Sequence, residues 1–361
     1  MKLHLLPRFA AILIATLGAC GELAAATKAT KQGTLLTEHL TSKILKENLV
    51  GLDLNRTIKI YLPPGYAESG KSYPVVYFCH NINWSPEQMF EDGNLQRLIE
   101  QGFVSGVVQE FIFVAASYAT PTMGSLYENS PVSGRWLDYT VDEVVPFIDA
   151  NFRTIRHRDS RGLVGDFMGG RGALKLAMVH AELFGSVYAL HPVATGTGAL
   201  PYPFLEIDWK NVHQAKSYAD LKTSGRERIF VMISQAFLPN PNRPPFFCDF
   251  FMDLDQGELK YIPANTRKLQ AGFHLDETLD ECAANLRTMR GVAFDWARHD
   301  TTQAHVDSNQ AFTRKLMDLG IEHQAEEYTG TPWNKNWTED GRFATRVLPF
   351  FARHLAFQSD N

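Results

Sequence analysis

Apolar and polar positions alternate in blocks along this chain, and the blocks predict strands and helices in turn. Residues 56–62 alternate polar and apolar side chains and stop at Pro63-Pro64-Gly65, the pattern of a half-buried strand followed by a turn. Residues 73–79 and 111–117 are nearly continuous apolar runs, as in strands covered on both faces. Residues 162–165, 186–190, 228–234, 292–296 and 322–328 predict further strands. Apolar residues at helical spacing predict helices over 87–102, 136–152, 168–180, 305–319 and 342–355.

This order implies an α/β architecture: a mostly parallel central sheet, right-handed crossovers and helices on both faces. In such a sheet the functional crevice lies at the carboxyl ends of the strands. Those ends are His80-Asn81, Ser117-Tyr118, Asp166-Phe167, His191 and His299-Asp300. Residues 235–290 open with a stretch rich in Pro, Phe and Asn, fit the sheet pattern poorly, and predict a lid insertion. No internal repeat or interdomain linker interrupts residues 50–356, which predict one domain preceded by an N-terminal segment at 27–49.

Composition narrows the picture. The chain has 361 residues, 45% of them hydrophobic, enough for one large core. A net charge of −5 without a basic stripe excludes nucleic acid as the expected partner. Residues 1–26 predict an export signal: Lys2 and Arg8 supply a basic start, and residues 9–17 an apolar run too short to span a membrane. Leu17-Gly18-Ala19-Cys20 resembles the bacterial lipobox, and Ala24-Ala25-Ala26 offers an alternative cleavage point. The expected location is therefore the periplasm or outer membrane as a lipoprotein, or secretion. Membrane contact is expected only through a lipid anchor at Cys20. Cys79 ends an apolar strand and reads as a buried thiol. Cys248 and Cys282 could pair in an oxidising compartment or remain free.

The chemistry centres on Gly165-Asp166-Phe167-Met168-Gly169-Gly170. A nucleophile elbow reads Gly-x-Ser-x-Gly, with the serine on a sharp strand-to-helix turn. Both glycines are present, and the middle position is Phe167, which cannot attack a carbonyl. Three other segments stand in order around it. They are Tyr61-Leu62-Pro63-Pro64-Gly65-Tyr66 with Tyr73-Pro74-Val75-Val76-Tyr77, then Asp295-Trp296-Ala297-Arg298-His299-Asp300, then Glu327-Tyr328-Thr329-Gly330-Thr331-Pro332. On these motifs the chain, over about residues 50–356, resembles the putative-esterase (esterase D-like) family of α/β-hydrolases. That family includes feruloyl esterases, enterochelin esterases, S-formylglutathione hydrolases and mycolyltransferases.

The resemblance implies an α/β-hydrolase fold and carboxylic ester hydrolysis, and it assigns positions. Phe167 stands at the nucleophile, Asp300 at the acid, and Pro332 where the histidine should be. The oxyanion segment reads His80-Asn81-Ile82-Asn83, without the expected glycines. A serine mechanism needs a hydroxyl, a base and oxyanion donors together. The reacting parts thus deviate while the packing parts persist. The expectation is loss of the usual mechanism, with a small or glycan-linked ester ligand bound in the old crevice near His80, Asn81, Asp166 and Met168. Reverting Phe167 to serine alone is not expected to restore activity.

Several other groups could substitute. Asp166 stands one residue early for a nucleophile and is expected to bond backbone N–H groups or Arg171. His191 could border the crevice as a base, or be a buried structural histidine. His80 is expected beside the oxyanion loop in a structural role. His299, Asp300 and His305 share one loop, but their spacing matches no ligand motif, and neither metal nor cofactor is expected. Ser117 and Ser130 have no evident base. Phe167, Met168, Trp84, Phe246, Phe247, Phe250 and Trp333 could line an apolar pocket, and the lid aromatics could form an exposed patch. Two alternatives stay open: an enzyme using non-standard residues, and an envelope structural protein whose crevice is filled.

Overall fold

The computed structural model describes residues 32–196, 207–221, 226–332 and 336–358. The export signal, Cys20 and Trp333 lie outside the described residues. Eight strands form one sheet: β1 (Thr34–Thr41), β2 (Asn55–Leu62), β3 (Val75–Cys79), β4 (Ile112–Ala116), β5 (Arg161–Asp166), β6 (Ser186–Leu190), β7 (Gly291–Ala297) and β8 (Gln324–Tyr328). Their order across the sheet is β1-β2-β4-β3-β5-β6-β7-β8. The first two junctions are antiparallel. All later ones are parallel.

The central strands β3, β4, β5 and β6 are buried at every residue, as their unbroken apolar runs require when helices cover both faces. One core cluster lies on each face. Tyr77, Phe184 and Phe294 belong to one, and Phe78, Phe113 and Phe351 to the other.

Three elements differ from the pattern. Residues 87–102 form two helices, Pro86–Glu91 and Asn94–Val104, because Gly93 takes φ 68° between them. Residues 136–152 are helical but contain a π-turn, Tyr139–Val144, just ahead of Pro146. A proline ring crowds the carbonyl four residues back and offers no N–H, and the wider turn accommodates it. Residues 228–234 are not a strand. They belong to helix α2 (Arg226–Phe237), which follows α1 (Met168–Val179) in the chain.

Helix α2 belongs to the segment between β6 and β7. That segment also contains the hairpin Met252–Asp255/Glu258–Tyr261 and helix α3 (Pro263–Phe273). It builds its own core from Trp209, Phe230, Phe237, Phe246, Phe250 and Phe251. Phe246 and Phe250 are buried among their neighbours, so they join a core rather than the exposed patch they could have formed. Cys248 and Cys282 are both free thiols, and no disulfide joins them.

Arg171, on α1, fastens this cap to the sheet domain. Its fully buried guanidinium donates to the carbonyls of Phe273 (2.9 Å), Gly272 (3.0 Å) and Leu126 (3.1 Å), and to Glu128 Oε1 (2.9 Å). Two of those carbonyls close the carboxyl end of α3, where a cation is favoured. Arg171 does not pair with Asp166, whose carboxyl accepts backbone hydrogen bonds at Asn81 and Asp166 instead, the other of the two expected partners.

Candidate functional site

Strand β5 ends at Asp166, and the chain turns through Phe167 into α1. Phe167 adopts φ 50°, ψ −117°, a conformation that L-residues rarely accept. Two glycines permit the turn. A Cβ on Gly165 would lie 2.3 Å from the Gly169 carbonyl oxygen, and one on Gly169 would lie 2.0 Å from that of Cys79. The elbow's backbone geometry thus survives in full, with an aromatic ring at its tip. That ring packs against His191 (centroids 4.9 Å apart) and lies edge-on to His305 (6.1 Å).

His191 follows β6, and Asp300 follows β7. The parallel pairing of these strands brings together side chains 109 positions apart. His191 Nε2 lies 2.8 Å from Asp300 Oδ2. His305, in the first turn of α4 (Gln303–Asp318), places Nδ1 2.7 Å from the same oxygen. The N–H of Thr302 donates to Oδ1 at 2.8 Å. Burial alone would raise the Asp300 pKa, but the bonds from His191 and His305 outweigh it and hold the carboxyl well below its usual range.

Hydrogen-bond roles fix the tautomers. The N–H of Ala297 donates to His191 Nδ1 at 2.8 Å, so that nitrogen is an acceptor and Nε2 carries the proton toward Asp300. Burial lowers the His191 pKa further, against the opposing pull of Asp300. His191 therefore cannot serve as a base: its one lone pair, on Nδ1, accepts from the Ala297 N–H, and its proton is committed to Asp300. It clamps the carboxylate instead. His305 donates through Nδ1, which leaves Nε2 as its only acceptor.

His191, Asp300 and His305 converge closely enough to suggest a metal site. The donor set does not fit one. Ligation through His191 Nε2 would require a proton on Nδ1, which faces the Ala297 N–H rather than an acceptor. The two short contacts are explained by protons. His299 is not part of the cluster; its backbone N–H bonds the Gly330 carbonyl.

An apolar cavity of about 260 Å³ opens above Phe167. Asn81, Ile82 and Asn83 line it from the loop after β3, Phe167 and Met168 from the elbow, and Phe230, Ile233, Phe273 and His274 from the cap. Thr302, His305 and Ser308 complete the wall, with Arg226 beside them. Buried His274 has no partner for Nδ1, and burial pushes its pKa down to about 4.

Five residues singled out in the sequence, His80, Asp166, Pro332, Ser117 and Ser130, lie outside the cavity wall. His80 does not reach the cavity: Nδ1 donates to the Asn81 carbonyl (2.8 Å), and Nε2 accepts from the Tyr118 N–H (2.9 Å). It pins the loop, and burial pushes its pKa down to about 4. Asp166 is buried beneath the elbow rather than in the wall; burial lifts its pKa to about 7, and Oδ1 has no hydrogen-bond partner. Pro332 is buried outside the cavity lining, on a loop whose Tyr328 and Gly330 carbonyls bond the N–H groups of Arg298 and His299. Ser117 and Ser130 are structural: Ser117 accepts from Arg56, and Ser130 donates to the Gln235 carbonyl.

Asn81 and Met168 do line the cavity. The oxyanion loop is altered further, because the Asn81 side-chain oxygen accepts from the Ile82 N–H at 2.7 Å. Sequence reasoning placed Asp300 correctly at a strand end and saw His305 nearby, but did not pair them. The five-residue spacing across the start of a helix was the available signal.

Comparison with known proteins agrees with this geometry. The putative esterase family matches residues 51–239. An esterase of Mycobacterium tuberculosis is 28% identical over 162 residues, 45% of this chain and 34% of that protein. An endo-1,4-β-xylanase/feruloyl esterase of Xylanibacter ruminicola is 27% identical over 134 residues, 36% of this chain and 18% of that one. The alignments thus span about a third or less of these relatives' lengths. Among solved structures, a ferulic acid esterase superposes with a TM-score of 0.61 at 19% identity, covering 90% of this chain and 100% of its own. An S-formylglutathione hydrolase from Agrobacterium tumefaciens gives 0.58 at 15%, covering 90% and 97%.

Proposed function

Because this chain belongs to the putative esterase family of α/β-hydrolases yet carries Phe167 where the attacking hydroxyl should stand, we propose that it binds a small, apolar, ester-bearing ligand without forming an acyl-enzyme. The ring at the elbow tip carries this reading. It occupies the nucleophile's place, rests on His191 and forms the cavity floor. Aromatic and aliphatic walls with a few polar groups suit an aryl or short acyl ester, including one linked to a glycan. The names of several relatives, feruloyl esterases among them, favour an aromatic acid ester. An open cavity also speaks against a purely structural envelope protein, for which a filled crevice is expected.

The test pairs two measurements on the purified protein. A fluorophosphonate probe is expected to leave it unlabelled, while methyl ferulate or the hydrolysis-resistant amide p-nitrobutyranilide binds by calorimetry. Binding is expected to weaken when Ile233→Trp fills the cavity. Stoichiometric labelling, or no binding of either compound, would sink the proposal.

We propose export as well, from the basic start and short apolar run of residues 1–26, with Cys20 as lipid anchor. In a bacterial host, Cys20→Ser should move the protein from the membrane fraction to the soluble periplasmic one. Retention of the chain in the cytoplasm would refute export. Unchanged membrane association in the variant would refute the anchor.

A further inference from the structure

We propose that His305 is the general base of a hydrolysis without an acyl-enzyme, in which water, not a side chain, attacks an ester carbonyl in the cavity. This rests on the reading of the cavity as the ligand site, and it gives the family's reaction to a histidine on a different element.

Three observations carry it. First, the bond from His305 Nδ1 to Asp300 commits that nitrogen as a donor, so Nε2 holds the ring's only lone pair. The side chain is 23% exposed and lines the cavity, so the ring is reachable by water. Second, Asp300 is fixed on both oxygens, by His191 and His305 on one and the Thr302 N–H on the other. An aspartate held this way orients a histidine and stabilises its protonated form, the role of the acid in a triad. Third, no hydroxyl or thiol among the described residues of the cavity wall is bonded to a base that could activate it. Ser308 accepts from the Gly196 N–H (2.8 Å) and donates to the Gly196 carbonyl (3.1 Å), and the elbow tip is Phe167. Water is the remaining attacking group that this base can activate.

The step balances. Nε2 takes a proton as the water oxygen forms its bond to the acyl carbon. The tetrahedral intermediate then expels the alcohol oxygen, which receives that proton from the imidazolium. One water is consumed, one acid and one alcohol leave, and His305 returns to its neutral form. Because Asn81 occupies the Ile82 N–H, oxyanion stabilisation is weakened and turnover is expected to be slow.

The full-length protein is assayed with p-nitrophenyl butyrate. Expected are linear release without a burst and an unchanged intact mass throughout. His305→Asn keeps a donor toward Asp300 but has no base, and should lower kcat about 100-fold with little change in KM. His39→Ala, on exposed β1, serves as the control and should behave as wild type. Binding of p-nitrobutyranilide to His305→Asn at wild-type affinity shows that the variant is folded. Should it not fold, rates in H2O and D2O decide: clear slowing in D2O supports the proposal, and equal rates overturn it. Undiminished turnover in His305→Asn overturns it, as does an acyl adduct on Thr302 or any other side chain. Binding of the amide without wild-type turnover overturns this inference alone. Absence of both binding and turnover overturns the ligand site as well.

Discussion

The elbow at Phe167 and the loop carrying Asp300 face the same cavity and have kept opposite things. At the elbow the backbone persists: the φ 50° tip, the glycines that let α1 lie against β3 and β5, and the tight entry into the helix. Its reacting atom is gone. Around Asp300 the β8 side brings Pro332, which is buried outside the cavity wall. Yet a complete hydrogen-bonded acid–histidine pair stands there, supplied by His305 from α4 and clamped by His191 from β6. Packing holds the elbow's shape around an aromatic ring, while Asp300 bonds histidines that come from α4 and the end of β6. A fold's geometry and its reactive groups are therefore separately maintained, and each can be perturbed alone.

The harshest break of the comparison is on the elbow side. Gly169→Ala drives a Cβ into the Cys79 carbonyl and is expected to cost roughly 4 kcal/mol or more, or to prevent folding, as read by urea denaturation or soluble yield. A near-neutral result would show that the tight approach is not what preserves the turn. Next is Asp300→Ala, which strands the buried His191 Nε2–H without an acceptor. A loss of about 3 kcal/mol is expected in the same denaturation assay. Asp300→Asn, which retains one acceptor, should cost less, and equal losses would mean that burial rather than bonding dominates.

Asp166 gives a smaller, pH-dependent effect. Its folded pKa, about 7, lies above its ordinary value of 3.8, so the native state binds the extra proton. Stability should therefore fall as pH rises from about 4 to 7 on this group's account, and stay reduced above that. Asp166→Asn should recover about 1–2 kcal/mol at pH 8 and little at pH 4, since the amide too has an unpaired atom to bury. His80 and His274, both near 4 when folded against an ordinary 6.5, act with the opposite sign and lose stability as pH falls from 6.5 to 4. Urea melts across pH 4–8 separate the contributions. A gain for Asp166→Asn that is equal at both ends would rule out ionisation as the cause.

The subtlest effect sharpens the comparison. Phe167→Ser puts a hydroxyl on an elbow that still has its shape, near a histidine that Asp300 already orients. Slow fluorophosphonate labelling is expected, abolished by adding His305→Asn and accelerated by Asn81→Gly, which frees the Ile82 N–H. From the sequence, with Pro332 at the histidine position, no such gain is expected. Its absence would place His305 out of reach of the elbow.

Strands β3 to β7 were legible because apolar runs leave few alternatives, and β2 and β8 from the patterns at 56–62 and 322–328, whereas β1 lay unread in the N-terminal segment at 27–49. Residues 228–234 were not, because Ile229-Phe230-Val231-Met232-Ile233 is a short apolar run that a strand or a buried helix could equally use. In this molecule the helix has the cavity on one side and the cap's aromatic core on the other, so its apolar character wraps around it. The elbow's missing hydroxyl was visible letter by letter. The pairing of Asp300 with His305 and His191 was not, since it depends on the register between β6 and β7 and on where a helix begins. The tautomer that excludes His191 as a base depends on one backbone N–H, which no sequence pattern records.

Arg171 carries a last consequence. Its buried guanidinium ties the end of α3 in the cap to α1 through two bonds, and the loop at Leu126 and Glu128 through two more. A cap fastened in this way does not swing aside for each visitor. Asn83 and Arg226 are the exposed residues of the cavity lining, so a ligand meets an amide and a guanidinium before it meets the apolar wall.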